Sequence, residues 1–116
     1  IVLEIDWQGA VQVRRQFPDA VLVFIAPPSI EELRLRLERR GQDSPEVIEQ
    51  RIQAARPELA EAGRFQYVII NQEFAGALRQ LAAIVEASRC RFAQQRTRHR
   101  GLFDGLGIHE ARPHPE

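Results

Sequence analysis

Arg36–Arg51, RLERRGQDSPEVIEQR, sets four arginines around a Gly-Gln-Asp-Ser-Pro break. Just upstream, Ile30, Leu33 and Leu37 recur at i, i+3 and i+7, so one helix is predicted from about Ile30 to Arg39. Gly41 stands where a helix commonly ends in the left-handed conformation. Ser44-Pro45 starts a second helix, with proline at the first helical position, where its missing N–H costs nothing. Asp43 with Glu46 three residues later offers an alternative capping box for the same start. Two helices therefore meet at a polar hinge crowded with guanidinium groups. Each guanidinium is permanently charged, and its planar fork matches phosphate oxygens. A hinge lets such charge close over a substrate and exclude water. The competing reading is a solvated, salt-bridged helix face: Arg36 with Glu32, and Arg51 with Val47 or Ala55, have ordinary helical spacing.

Outward from the hinge the apolar pattern changes period. Val21–Ile25 (VLVFI) is a continuous β-branched and aromatic run, as in a strand covered on both faces. Pro27-Pro28-Ser29 stops it, and Ser29 with Glu32 caps the next helix. Ile1–Asp6 (IVLEID) and Phe65–Ile70 (FQYVII) read as further buried strands. Trp7-Gln8-Gly9 reads as a turn before a short helix, Ala10–Gln16, with Val11 inward. Pro57 falls inside the second hinge helix and is expected to kink or end it near Arg56. A last long helix is predicted from Phe74, with Phe74, Leu78, Leu81, Ile84 and Val85 on one face. The alternation of strand, helix, strand, helix pair, strand and helix gives an α/β fold with a parallel sheet and right-handed crossovers. Ligands of such sheets sit beyond the carboxyl ends of the strands. Those ends carry Glu4 and Asp6, then Pro27-Pro28, then Asn71, so two acids, an amide and the arginine hinge share one rim.

Composition narrows the function classes. The 116 residues hold 16 basic and 16 acidic side chains, and a net charge of +0 argues against nucleic-acid or membrane binding by bulk electrostatics. Cys90 is the sole cysteine, so no internal disulfide forms, and it reads as a structural thiol near a helix end. His99, His109 and His114 lack ligand spacing. The run Arg89, Arg91, Arg96, Arg98, His99 and Arg100 has thin aromatic interleaving, with Phe92 and Phe103, and reads as a solvated helix. Gly101–Glu116 is glycine- and proline-containing and is expected to be unstructured. The chain opens on Ile1 directly into an apolar run, from which a preceding segment is expected.

LEIDWQGA (Leu3–Ala10), FIAPPSIEEL (Phe24–Leu33), RGQDSPEVIEQR (Arg40–Arg51) and YVIIN (Tyr67–Asn71) together resemble bacterial guanylate kinase, from about Val2 to Arg98. The resemblance implies phosphoryl transfer from ATP to GMP, giving ADP and GDP, with Mg2+ accompanying ATP, in a cytoplasmic enzyme. It implies a P-loop NTPase-type sheet flanked by helices, with residues 1–90 as core including a lid at about 36–51, and 91–116 as a basic extension and tail. By resemblance, Arg36, Arg40 and Arg51 bind phosphates and stabilise the transferring group, and Asn71 lies near the adenine. Glu4 and Asp6 serve the GMP and magnesium side. Glu4 stands where the family usually has Asp, and Gln66 and Gln72 replace acids.

The chain holds no lysine, hence no Gly-Lys-Ser/Thr loop to cradle phosphates. The GMP-binding segment is absent too, so the resemblance covers the C-terminal portion of the kinase, expected to be inactive alone. By the family's strand order 2-3-1-4-5, the P-loop strand would lie between Ile1–Asp6 and Val21–Ile25. Its absence would leave a vacancy, with apolar edges inviting homo-oligomer formation, or would let those strands pair directly. The alternative function is a non-catalytic guanylate-kinase-like protein-interaction module.

Overall fold

The computed structural model describes residues 6–110, apart from the Trp7 side chain. Helices are α1 (Trp7–Gln16), α2 (Ile30–Arg40), α3 (Pro45–Ala60), α4 (Phe74–Arg89), α5 (Phe92–Arg98) and α6 (Arg100–Gly105). Strands β1 (Val23–Ala26) and β2 (Tyr67–Ile70) lie between them, with one 3-10 turn at Ala62–Arg64. The chain divides into two compact units, Ile1–Ala77 and Leu78–Glu116.

In the first unit β1 and β2 pair in parallel, Val23 opposite Tyr67 and Ala26 opposite Ile70. The α/β class and parallel pairing follow the sequence reading. The ladder is extended at its start by Gln66, whose Oε1 accepts the Leu22 N–H at 2.6 Å while its own N–H donates to Leu22 O at 3.1 Å. At its far end Asn71 N donates to Ala26 O at 2.7 Å. Phe24 and Phe65 meet edge to face, ring centroids 5.1 Å apart.

The run read as covered on both faces, Val21–Ile25, and the run read as a buried strand, Phe65–Ile70, both keep exposed side chains. Ala26 and Ile69 are buried, but Ile25, Val68 and Ile70 are about half exposed. Among the described residues the sheet has two strands, so each strand has a neighbour on one edge alone. The strand reading of Ile1–Asp6 falls on residues 1–5, outside the described part, and with it the choice between a vacancy and direct pairing with Val21–Ile25.

A buried apolar cluster joins α2 to α3: Leu37, Ile48 and Ile52 are buried together, with Ile30 and Leu33 against them. Two boundaries differ from the sequence reading. Asp6 Oδ1 accepts the Gly9 N–H at 2.8 Å, so Trp7-Gln8-Gly9 is the first turn of α1 rather than a separate turn. Ala10 is buried there, and Val11 is partly exposed. Pro57 neither ends nor breaks α3, which continues to Ala60. It lies within the helix's last turn, so few residues follow it, and the hydrogen bond it denies to the Gln53 carbonyl is at an exposed position where water can substitute.

The second unit begins at Leu78, within α4, whose residues all keep some exposure. Beyond it, Phe92 and Phe103 approach to 5.7 Å between centroids. Arg96 ties the segment together, its Nε donating to His109 O at 2.6 Å and Nη2 pairing with Asp104 Oδ1 at 2.9 Å. These contacts fold α6 in part of the stretch expected to be unstructured, and they commit one arginine of the basic run internally. Cys90 is exposed just after α4, not packed as a structural thiol.

Candidate functional site

Local chemistry builds the hinge as the sequence suggests. Gly41 closes α2 at φ +65°, a conformation that strains any residue with a Cβ. Ser44 Oγ accepts the Val47 N–H at 3.3 Å, with Pro45 in the first turn of α3. Of the two candidate caps, Ser44 is the one used. Asp43 instead pairs across the start of α3, with Oδ2 3.0 Å from Arg51 Nε.

A second link spans the hinge. Arg34 Nη1 donates to Glu49 Oε2 at 2.6 Å, while Gln53 Nε2 donates to Glu49 Oε1 at 3.3 Å. The Arg34 hydrogen bond, then that from Gln53, holds the Glu49 carboxyl below the usual carboxylate range, and the Glu49 hydrogen bond raises Arg34. Both side chains stay open to solvent, so the pair orients the helices more than it stabilises them. Arg34, Glu38, Asp43, Pro45 and Ile48 line a half-open cleft of about 300 Å³ beneath this junction.

The three arginines singled out by resemblance occupy different settings. Arg36 is half-buried: Nε donates to Glu32 Oε1 at 3.2 Å, and Nη2 donates to the carbonyl oxygens of Asn71 at 2.7 Å and Gln72 at 3.1 Å. It therefore joins α2 to the segment leaving β2, bringing Arg36 and Asn71 into one place. Arg40 is exposed at the last turn of α2, with a 3.4 Å contact from Nη2 to Gln42 Oε1. Arg51, on α3, is held by Asp43 through Nε. Asp6 caps α1, and Glu4 lies outside the described residues.

The solvated-face reading is thus right about Arg36 and Glu32, which form the i, i+4 pair its spacing allows. It misses the other edge of Arg36, which crosses to the strand end. Sequence reasoning also missed Arg34–Glu49 and Asp43–Arg51. Neither has the three- or four-residue spacing of one helix face, so only the folded hinge brings them together. Among the described residues, no group of three or more His, Cys, Asp or Glu could hold a metal ion, and no helix is long and apolar enough to cross a membrane.

Comparison with known proteins agrees with the motif reading. The family model described as guanylate kinase matches residues 1–88. Guanylate kinase of Bordetella pertussis is 53% identical over 108 residues, covering 93% of this chain and 50% of that protein. Guanylate kinase of Aromatoleum aromaticum is 57% identical over 106 residues, covering 91% of this chain and 52% of that protein. The crystal structure of guanylate kinase from Anaplasma phagocytophilum superposes with a TM-score of 0.65 at 28% identity, over 91% of this chain and 50% of that one. The chain spans about half the length of the curated relatives it matches. With its α/β fold, its capped arginine hinge and a family match over most of its length, the chain belongs to the guanylate kinase family.

Proposed function

We propose that this chain supplies the lid and the adenine-side loop for phosphoryl transfer from ATP to GMP, giving ADP and GDP. The observation that supports this most is Arg36 bonding the Asn71 and Gln72 carbonyls, which puts an arginine of the lid helix beside the loop assigned to the base. In this reading Arg40 and Arg51 offer guanidinium N–H groups to phosphate oxygens, where charge develops in a loose transition state. Asn71 has no side-chain hydrogen bond to another described residue, leaving its amide for a ligand.

The described residues do not assemble a magnesium site: no acid cluster forms, and Asp6 spends Oδ1 on the Gly9 amide. Magnesium enters this proposal as the ion carried on the ATP phosphates. Because the 116 residues contain no lysine, hence no Gly-Lys-Ser/Thr loop, the proposal assigns them no turnover on their own.

The test joins this chain to the part of the Bordetella pertussis relative outside their match and assays GDP and ADP formation. The joined protein should turn over ATP and GMP, and the 116-residue chain alone should not. Arg40→Ala should lower kcat by roughly tenfold to a thousandfold, the range for removing a donor to developing charge. A near-normal rate would remove Arg40 from the assigned role, and an inactive, folded joined protein would remove the proposal.

A further inference from the structure

Glu32 begins a chain of contacts that runs through Arg36 to the end of β2. Its N–H donates to Ser29 Oγ at 2.9 Å, fixing it in the first turn of α2. Its Oε1 accepts from Arg36 Nε at 3.2 Å and lies 3.7 Å from Arg39 Nη1. Arg36 in turn gives Nη2 to both the Asn71 and Gln72 carbonyls. A guanidinium is planar, so bonding Nε to Glu32 and Nη2 to two carbonyls fixes the orientation of the whole group. Nη1 is then the nitrogen left without a partner among the described residues.

The Asn71 segment depends on this. Its N–H side is secured by the sheet, through Asn71 N to Ala26 O at 2.7 Å. Past Ile70 no strand among the described residues pairs with its carbonyl side, and one arginine nitrogen collects two successive carbonyl oxygens there. Without Glu32 to hold Nε, the Arg36 side chain regains its rotamers and the two carbonyls lose a fixed donor.

Resting on the function proposed above, we propose that Glu32 is a positioning residue that, through Arg36, sets the Asn71–Gln72 segment for its grip on the adenine nucleotide. The relay also leaves Nη1 of Arg36 as a donor for an anionic ligand. Its function requires an acceptor at 32 and a planar fork at 36. Charge alone at either position does not suffice.

Two measurements test it, one without any need for turnover. Amide hydrogen exchange on the 116-residue chain should show Glu32→Ala speeding exchange at Asn71 and Gln72 by about tenfold, as for loss of one charge-assisted hydrogen bond. Exchange at Ile48 and Ile52 should stay unchanged. Glu32→Gln, which keeps an acceptor for Nε–H, should restore much of the protection. Arg36→Lys, which keeps the charge and loses the fork, should behave like Glu32→Ala. In the joined protein, Glu32→Ala should raise KM for ATP by roughly tenfold, more than it lowers kcat, with KM for GMP unmoved. Equal loosening at Ile52, full function with lysine at 36, or an unmoved ATP KM in an active protein would each overturn the relay. If the unsubstituted joined protein is inactive, the function proposal falls, and the exchange pattern alone decides whether Glu32 positions the segment.

Discussion

Replacing Ile52 by alanine tests whether the α2–α3 seam holds the arginine hinge together. Ile52 is fully buried (0% exposed) and packs with Leu37 and Ile48, while Ile30 and Leu33 close the cluster from α2. The change deletes three carbon groups; at about 0.8 kcal/mol each, lost burial comes to roughly 2.5 kcal/mol. The void left between two helices adds a cavity term, for a total of about 3 kcal/mol, inside the range of roughly 2–5 for such truncations. For a small domain that is a fall in Tm on the order of 10 °C or more. Leu35→Ala, on the same helix as Leu37 but 43% exposed, should cost less than about 1 kcal/mol and serves as the control. Urea unfolding of the 116-residue chain followed by far-ultraviolet circular dichroism gives both values. A loss below about 1 kcal/mol for Ile52→Ala, or equal losses for the two variants, would refute the reading of this seam as the unit's core.

Gly41→Ala should destabilise the hinge by about 1 kcal/mol through backbone strain alone, since no atom lies within 4 Å of the added Cβ; unchanged thermal unfolding would contradict this. Ser44→Ala should cost about 1 kcal/mol by uncapping α3, and Asp43→Ala should not reproduce that loss of cap, which urea unfolding of the two variants compares. Acid should weaken the Arg34–Glu49 link. The Glu49 pKa is lowered in the folded state, so its contribution is complete above the ordinary value of 4.5 and disappears as pH falls through the lower folded one. The effect is small because both groups are exposed, and Glu49→Gln should flatten the acid limb of a Tm-against-pH curve; an unaltered limb would deny the link.

The hinge was legible because local signals agree there. Gly41, Ser44 and Pro45 each fit one backbone position, and the helices they delimit match within a residue: α2 ends at Arg40, and α3 begins at Pro45. Less legible were features set by the number of neighbours. VLVFI and FQYVII have the apolar density of covered strands, yet exposure at Ile25, Val68 and Ile70 depends on what lies beside them, which no local pattern states. Pro57 misled because the rule concerns helix interiors, and near the end of α3 one missing hydrogen bond is tolerated. In the tail, composition pointed to an unstructured chain, but one ring contact and the Arg96 bonds suffice for a short helix. In the site, i, i+4 pairs could be read off, whereas Arg36 to Asn71 spans 35 positions and needed the fold.

The arginines themselves show why the two initial readings of the hinge were not true alternatives. A surface ion pair and a phosphate site both need a guanidinium, but a guanidinium has more than one donor edge. Arg36 is held by Nε and Nη2, and keeps Nη1 without a partner among the described residues. Arg51 meets Asp43 through Nε and keeps both terminal nitrogens without one among those residues. Arg40 touches Gln42 at 3.4 Å through Nη2, the weakest hold of the three, beyond the usual N–H to oxygen range. Glu32 and Asp43 thus restrict the rotamers of Arg36 and Arg51 while leaving donors without a partner among the described residues; under the proposed function, part of the ordering cost would be met before the ligand arrives. An arginine hinge held this way loses less entropy on binding than one left free in solvent. The salt bridges that made the stretch look like an ordinary helix face are what would fit it to take up an anion.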